Sequence, residues 1–100
     1  MKKYYQSELN NLDNVTIEAI EDYTRDNYSD KFFYKVVKEF DDQRDEEDKI
    51  FYLENLAIDL NLKKFNLTDI QEIIVAYMFV DDIFSKDYSD EIVEILEQVL

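Results

Sequence analysis

Ile73-Ile74-Val75-Ala76-Tyr77-Met78-Phe79-Val80, a few residues after Thr68-Asp69-Ile70-Gln71, is the stretch that decides the fold. Its eight residues are apolar around most of a helix circumference, so a helix here has to be central and covered on nearly every side. The run is β-branched enough for a buried strand as well, and periodicity does not separate the two. The residues before it favour helix. Thr68 and Gln71 stand at capping-box spacing, in which the Thr hydroxyl accepts from the N3 amide and the Gln side chain reaches back to the cap amide. Asn66 is a competing cap, with Phe65 and Ile70 then forming a hydrophobic staple. In either register a helix starts here, and it is expected to run to about Phe84.

The flanking segments read as amphipathic helices of ordinary length. Lys3 to Leu12 carries Tyr4, Tyr5, Leu9 and Leu12, and Asn10 to Asn14 reads as a turn. Thr16 to Asp26 places Ile17, Ile20 and Tyr23 on one side and most of its charges on the other. Asn27-Tyr28-Ser29 ends that helix and caps the next, in which Phe33, Val36, Val37 and Phe40 repeat at i, i+3, i+4 and i+7. A stripe resumes with Ile50, Leu53, Ala57 and Leu60, joined by Phe51 and Leu56. Asn61 to Asn66 is a break, Ser85 to Ser89 another, and Asp90 to Leu100 a last helix packing Ile92, Val93, Leu96, Val99 and Leu100. Tyr28-Ser29-Asp30 and Tyr88-Ser89-Asp90 match through shared capping chemistry and do not make a repeat.

The composition agrees. The chain has no Gly and no Pro, which tight hairpins and sheet edges use and helix interiors do not. At 100 residues, with 46% hydrophobic and 15% aromatic content, it has the apolar material of a core that an acidic disordered tail lacks. The expected fold is a compact all-α domain over residues 1–100, with five to six short helices around the Ile70 to Phe84 helix. Phe33, Val36, Val37, Phe40, Leu53, Leu56, Ala57, Leu60, Ile73, Ile74, Tyr77, Ile92, Leu96 and Val99 are its expected core.

Composition also excludes chemistry. With neither Cys nor His there is no thiol catalysis, no soft-metal site and no conventional triad. No Gly-rich loop is available to cradle a phosphate. The run Asp41-Asp42-Gln43-Arg44-Asp45-Glu46-Glu47-Asp48 holds six acids, yet it lacks the central Gly of a calcium loop and has Tyr52 at the twelfth position. No enzyme, cofactor or metal is expected. The N-terminal residues include no apolar signal core, the apolar runs are far too short to span a bilayer, and the absence of Cys suits a reducing compartment. The expected location is cytoplasmic, and the three Asn-X-Ser/Thr sequons read as helix-start chemistry.

What remains is the charge. There are 25 acids against 11 bases, a formal net charge of −14. Small domains tuned for solubility carry a net charge of about 2–8; this chain carries nearly twice the upper value, and self-repulsion at that density costs stability. Solubility alone is the competing explanation. The run from Asp41 contains no apolar residue, so it is either an exposed helical stretch, supported by the i, i+4 pairs Lys38–Asp42, Arg44–Asp48 and Asp45–Lys49, or a connection. Acids cluster at Glu18 to Asp30, Asp41 to Asp48 and Asp81 to Glu91, with Tyr23, Tyr28, Tyr52 and Tyr88 near them. Each Tyr alone reads as a half-buried helix residue with a wet hydroxyl, while as a set they suit an interface, with acids steering and aromatics anchoring.

A positively charged cleft on a protein that acts on nucleic acid is the natural partner for such a surface. In size, acidity and helical bias the chain resembles two groups, immunity proteins that neutralise a nuclease toxin and DNA mimics that block a restriction, CRISPR or repair enzyme. The patchy spacing of the acids and their mixing with aromatics favour the immunity reading over the continuous charge of a duplex. A third expectation is an acidic helical subunit of a larger complex. The expected contacts are Asp41, Asp42, Asp45, Glu46, Glu47, Asp48 and Tyr52, followed by Asp81, Asp82, Asp87 and Glu91. The charge argues against binding nucleic acid or an anionic membrane directly.

Overall fold

The computed structural model describes residues 3–81 and 90–99. They form α1 (Lys3–Asn10), α2 (Asn14–Asn27), α3 (Asp30–Asp41), α4 (Glu46–Asp59), a 3₁₀ helix (Leu62–Phe65), α5 (Asp69–Val80) and α6 (Asp90–Val99). No strand occurs among the described residues.

α5 is the hub. Every residue from Gln71 to Val80 is buried, and the helix touches each of the other five α-helices. Ile73 to Val80 is therefore helix, and its all-round apolarity is matched by all-round cover. The capping box at its start is fully made: Thr68 Oγ1 accepts from the Gln71 amide at 3.2 Å, and Gln71 Oε1 accepts from the Thr68 amide at 3.0 Å. Thr68 Oγ1 also donates to Glu8 Oε2 at 2.7 Å, and Gln71 Nε2 donates to the Glu8 carbonyl at 3.2 Å, which ties α1 to this end of α5. Asn66 is not the cap. It lies in the left-handed region at φ 59°, closing the 3₁₀ helix that Asn61 opens at φ 57°. Positions of that kind usually fall to Gly; Asn is the residue that tolerates them best in a Gly-free chain. The expected break at Asn61 to Asn66 is thus an ordered turn that also buries Leu62.

α5 stops at Val80, short of the expected Phe84, with Asp81 as its C-cap. Asp81 stands at the negative end of the helix dipole, which opposes extension. The remaining starts are set by side chains that accept from the N3 amide: Asp13 from Thr16 at 2.6 Å, Ser29 from Phe32 at 3.2 Å and Asp45 from Asp48 at 2.9 Å. Because Asp13 is the cap, α2 begins at Asn14, two residues before the expected Thr16. α1 ends at Asn10, not Leu12, although Leu12 is buried.

One core joins these helices. It takes Leu9, Leu12, Ile17 and Ile20 from the N-terminal pair, Val36 and Phe40 from α3, Ile50, Leu53, Leu56 and Ala57 from α4, and Ile92, Val93 and Leu96 from α6. Burying each Val, Leu, Ile or Phe side chain among them contributes about 1.5–3 kcal/mol. Phe33 and Val37, expected inside, are only half-buried. α3 is peripheral there, and Phe33 packs its ring on Phe79 at 5.6 Å and 79°. The side chain of Val99, the break at Ser85 to Ser89 and Leu100 lie outside the described residues.

Candidate partner-binding surface

The fold turns the acidic run into the corner between α3 and α4, which settles its two readings in part each. Asp41 ends α3, Asp42 is its C-cap, Asp45 is the N-cap of α4, and Glu46, Glu47 and Asp48 form the first turn of α4. All six acids are exposed. None of the three expected i, i+4 ion pairs closes among the described residues, where Arg25–Glu21 at 2.6 Å is one pair that does. Lys49 leans over the Phe40 ring at 5.7 Å and Lys64 over the Tyr23 ring at 4.1 Å, so two of the few cations cover aromatic faces.

These acids divide by what they do for their own helices. Asp45, Glu46, Glu47 and Asp48 sit at the positive end of α4, where each negative charge is stabilising by about 0.3–1 kcal/mol. Asp41 and Asp42 sit at the negative end of α3, where the same effect has the opposite sign. Asp59 closes α4, Asp81 caps the end of α5, and Asp26 lies in the last turn of α2. Helix stability explains the first group and argues against the second. Asp82 and Asp87, and the side chain of Glu91 in the first turn of α6, lie outside the described residues.

The aromatics near the acids are less available than their spacing suggests. Tyr23, Tyr28 and Tyr52 are half-buried. Tyr28 stacks on Phe32 at 5.1 Å and its hydroxyl donates to the Asp59 carbonyl at 3.2 Å. Burial pushes its pKa up to about 12, helped by Tyr23 and Asp59. The Tyr52 hydroxyl donates to Glu39 Oε1 at 2.8 Å, and burial first, then that carboxylate, raises its pKa well above the usual phenol range. Tyr88 lies outside the described residues. The large apolar side chains that do face solvent are others: Tyr34 at 68% exposure, Phe51 at 67%, Ile58 at 65% and Val15 at 77%.

Two of these share a face. Phe51 and Ile58 are seven residues apart on α4, opposite its core stripe of Ile50, Leu53 and Ala57. Glu47 and Glu54 fall on the same outer face, so α4 presents alternating acid and apolar side chains to solvent. Along one flank of that face, α4, the 3₁₀ helix and α5 enclose a groove of about 360 Å³. Ala57, Ile58, Ile70 and Ile73 form its apolar walls, and Glu54, Lys63 and Asp69 its rim. Glu72 lies in it at 7% exposure. Glu72 has no hydrogen-bond or ion-pair partner among the described residues. Burial raises its pKa, Asp69 raises it further, and Lys63 pulls it back.

Sequence reasoning missed this groove. From the sequence, Ile73 and Ile74 are expected in the core and Ile70 only as a staple partner of Phe65, and Glu72 has no assigned role. The available signal was the apolar residue count of α4, which exceeds one helix stripe by Phe51 and Ile58. No group of three or more carboxylates among the described residues is arranged to hold a metal ion, and no described helix is long and apolar enough to cross a membrane. Comparison with known protein families, characterised proteins and solved structures finds no match to this chain.

Proposed function

We propose that this protein is a non-enzymatic inhibitor that binds and blocks a basic protein acting on nucleic acid. The observation that carries the reading is the placing of acids at helix C-termini. Asp26, Asp41, Asp42, Asp59 and Asp81 each stand where the dipole opposes them, on a chain already at −14. Local stability does not call for any of them, and solubility is met at lower charge. A surface selected for a cationic partner accounts for them, since such charge accelerates encounter and excludes wrong partners.

Within that class, an immunity protein working in the cytoplasm against a nuclease toxin is the preferred identity. Its support is the mixed face of α4, where Phe51 and Ile58 stand among Glu47 and Glu54. A partly apolar contact fits one dedicated partner and resists salt, whereas a duplex mimic presents charge alone and releases in salt. The test is capture from the native host's lysate with the full chain as bait, eluted in salt steps, followed by assay of the captured protein with and without one equivalent of this chain. The expected result is a basic nuclease, retained at high salt and inhibited. Release of a restriction, CRISPR or repair enzyme at moderate salt transfers the reading to DNA mimicry. Capture of no basic protein at any salt, or of one that is not inhibited, overturns the proposal.

A further inference from the structure

The groove between α4 and α5 contains what the acidic corner lacks, a largely buried acidic residue whose carboxylate makes no hydrogen bond or ion pair among the described residues. Glu72 sits at 7% exposure between the Ile70 and Ile73 side of α5 and the Ala57 and Ile58 side of α4. Taking a carboxylate out of water is costly unless it is paired. Part of that cost is already borne by the free protein, where burial disfavours the ionised form of Glu72. Among the described residues no side-chain oxygen is both sealed from water and unpaired, so the Glu72 carboxylate opens into the groove, and a cation arriving there meets a partly desolvated charge in a medium where attraction is stronger than in bulk water. The rim sets the sign: Glu54 and Asp69 are acidic, and the one base, Lys63, is exposed and makes no ion pair with Glu72.

We propose that this groove receives an arginine side chain of the basic partner, the guanidinium pairing with Glu72 and the methylene stem lying along Ile58, Ile70 and Ile73. This rests on the proposed function and names the contact that would anchor it. Arginine fits better than lysine for two physical reasons. Its planar fork binds a carboxylate through two parallel hydrogen bonds, and it is more weakly hydrated, so less is lost on entering an apolar slot. The apolar walls suit a long aliphatic stem. Phe51, on the same face as Ile58, offers a seat for an apolar residue next to the arginine.

The test is an NMR titration of the labelled full-length chain at low salt and neutral pH. The probes are the capped tripeptide Leu-Arg-Leu and its citrulline analogue, which keeps the shape and removes the charge. The expected result is shift changes at Ala57, Ile73 and the Glu72 carboxyl, with the citrulline peptide at least tenfold weaker. In Glu72→Gln those groove shifts should vanish, while weak shifts at Asp41 to Asp48 persist. Three results would each overturn the inference: shifts confined to the acidic corner in the wild type, equal binding of the citrulline peptide, or unchanged groove binding in Glu72→Gln. The probe comparison needs only the wild-type chain, so it stands even if that variant folds poorly. Shifts confined to the corner would remove the groove while leaving the proposed function intact, which fails only in the capture experiment.

Discussion

Thr68→Ala isolates the junction that seats the central helix. Thr68 Oγ1 accepts from the Gln71 amide and donates to Glu8 Oε2, so one hydroxyl both caps α5 and ties it to α1. Losing a Thr cap costs about 1 kcal/mol, within a range of about 0.5–2. The bond to Glu8 is exposed, so its charged acceptor is screened and its contribution is discounted to about 0.5 kcal/mol. The sum is about 1.5 kcal/mol. For a domain of this size that lowers Tm by roughly 6–12 °C. Urea unfolding followed by far-UV circular dichroism reads it as a shift in midpoint at constant slope. Thr68→Ser keeps the hydroxyl and should stay within about 0.5 kcal/mol of wild type. A double-mutant cycle with Glu8→Ala should return a coupling of about 0.5 kcal/mol. If Thr68→Ala unfolds with the wild type, or Thr68→Ser is equally damaged, the junction does not seat α5 and the account of its start is wrong.

Three further outcomes follow from particular side chains. Phe51→Ala with Ile58→Ala should leave stability within about 0.5 kcal/mol, since both are two-thirds exposed, yet weaken partner binding tenfold or more; calorimetry of unfolding and of binding separates the two effects. Glu72→Gln should raise Tm at pH 7 and leave it nearly unchanged at pH 4. The folded-state pKa of Glu72 is raised, so its contribution is fully present below the unfolded value and lost as pH climbs through the folded one, and Gln never ionises. Tyr28, with its pKa raised to about 12, should remain protonated after ordinary tyrosines have ionised; ultraviolet titration should lose one late-titrating phenol in Tyr28→Phe. The stability Tyr28 lends is present below its ordinary value of 10 and disappears as pH rises through about 12.

What was legible in the sequence was local. The capping box of Thr68 and Gln71 needs only residues three apart, and it forms as written. The stripes of α4 and α6 depend on helical period, and Leu53, Leu56, Ala57, Ile92 and Leu96 are buried accordingly. What was not legible depended on which elements meet. Whether Glu72 faces solvent or a wall depends on how α4 and the 3₁₀ helix pack beside α5. Phe51 is exposed and Phe33 only half-buried, despite their apolar rings, for the same reason. Tyr52 looked like an anchor beside the acids, but Glu39, thirteen residues away on α3, holds its hydroxyl. The left-handed Asn61 and Asn66 follow from Asn being the best substitute in a chain without Gly, which composition hints at but does not locate.

The central claim is that acids are kept at a cost to the fold because they serve a partner. Replacing Asp41 and Asp42 with Asn and Glu46 and Glu47 with Gln leaves the Asp45 cap intact and lowers the charge of the corner. Measured side by side on that variant and the wild type, association with the captured partner at low salt should slow by about tenfold or more, because steering is lost. Tm should hold or rise, because relief at the end of α3 offsets what the start of α4 loses. An unchanged association rate would contradict the account and leave the acidic surface to solubility alone.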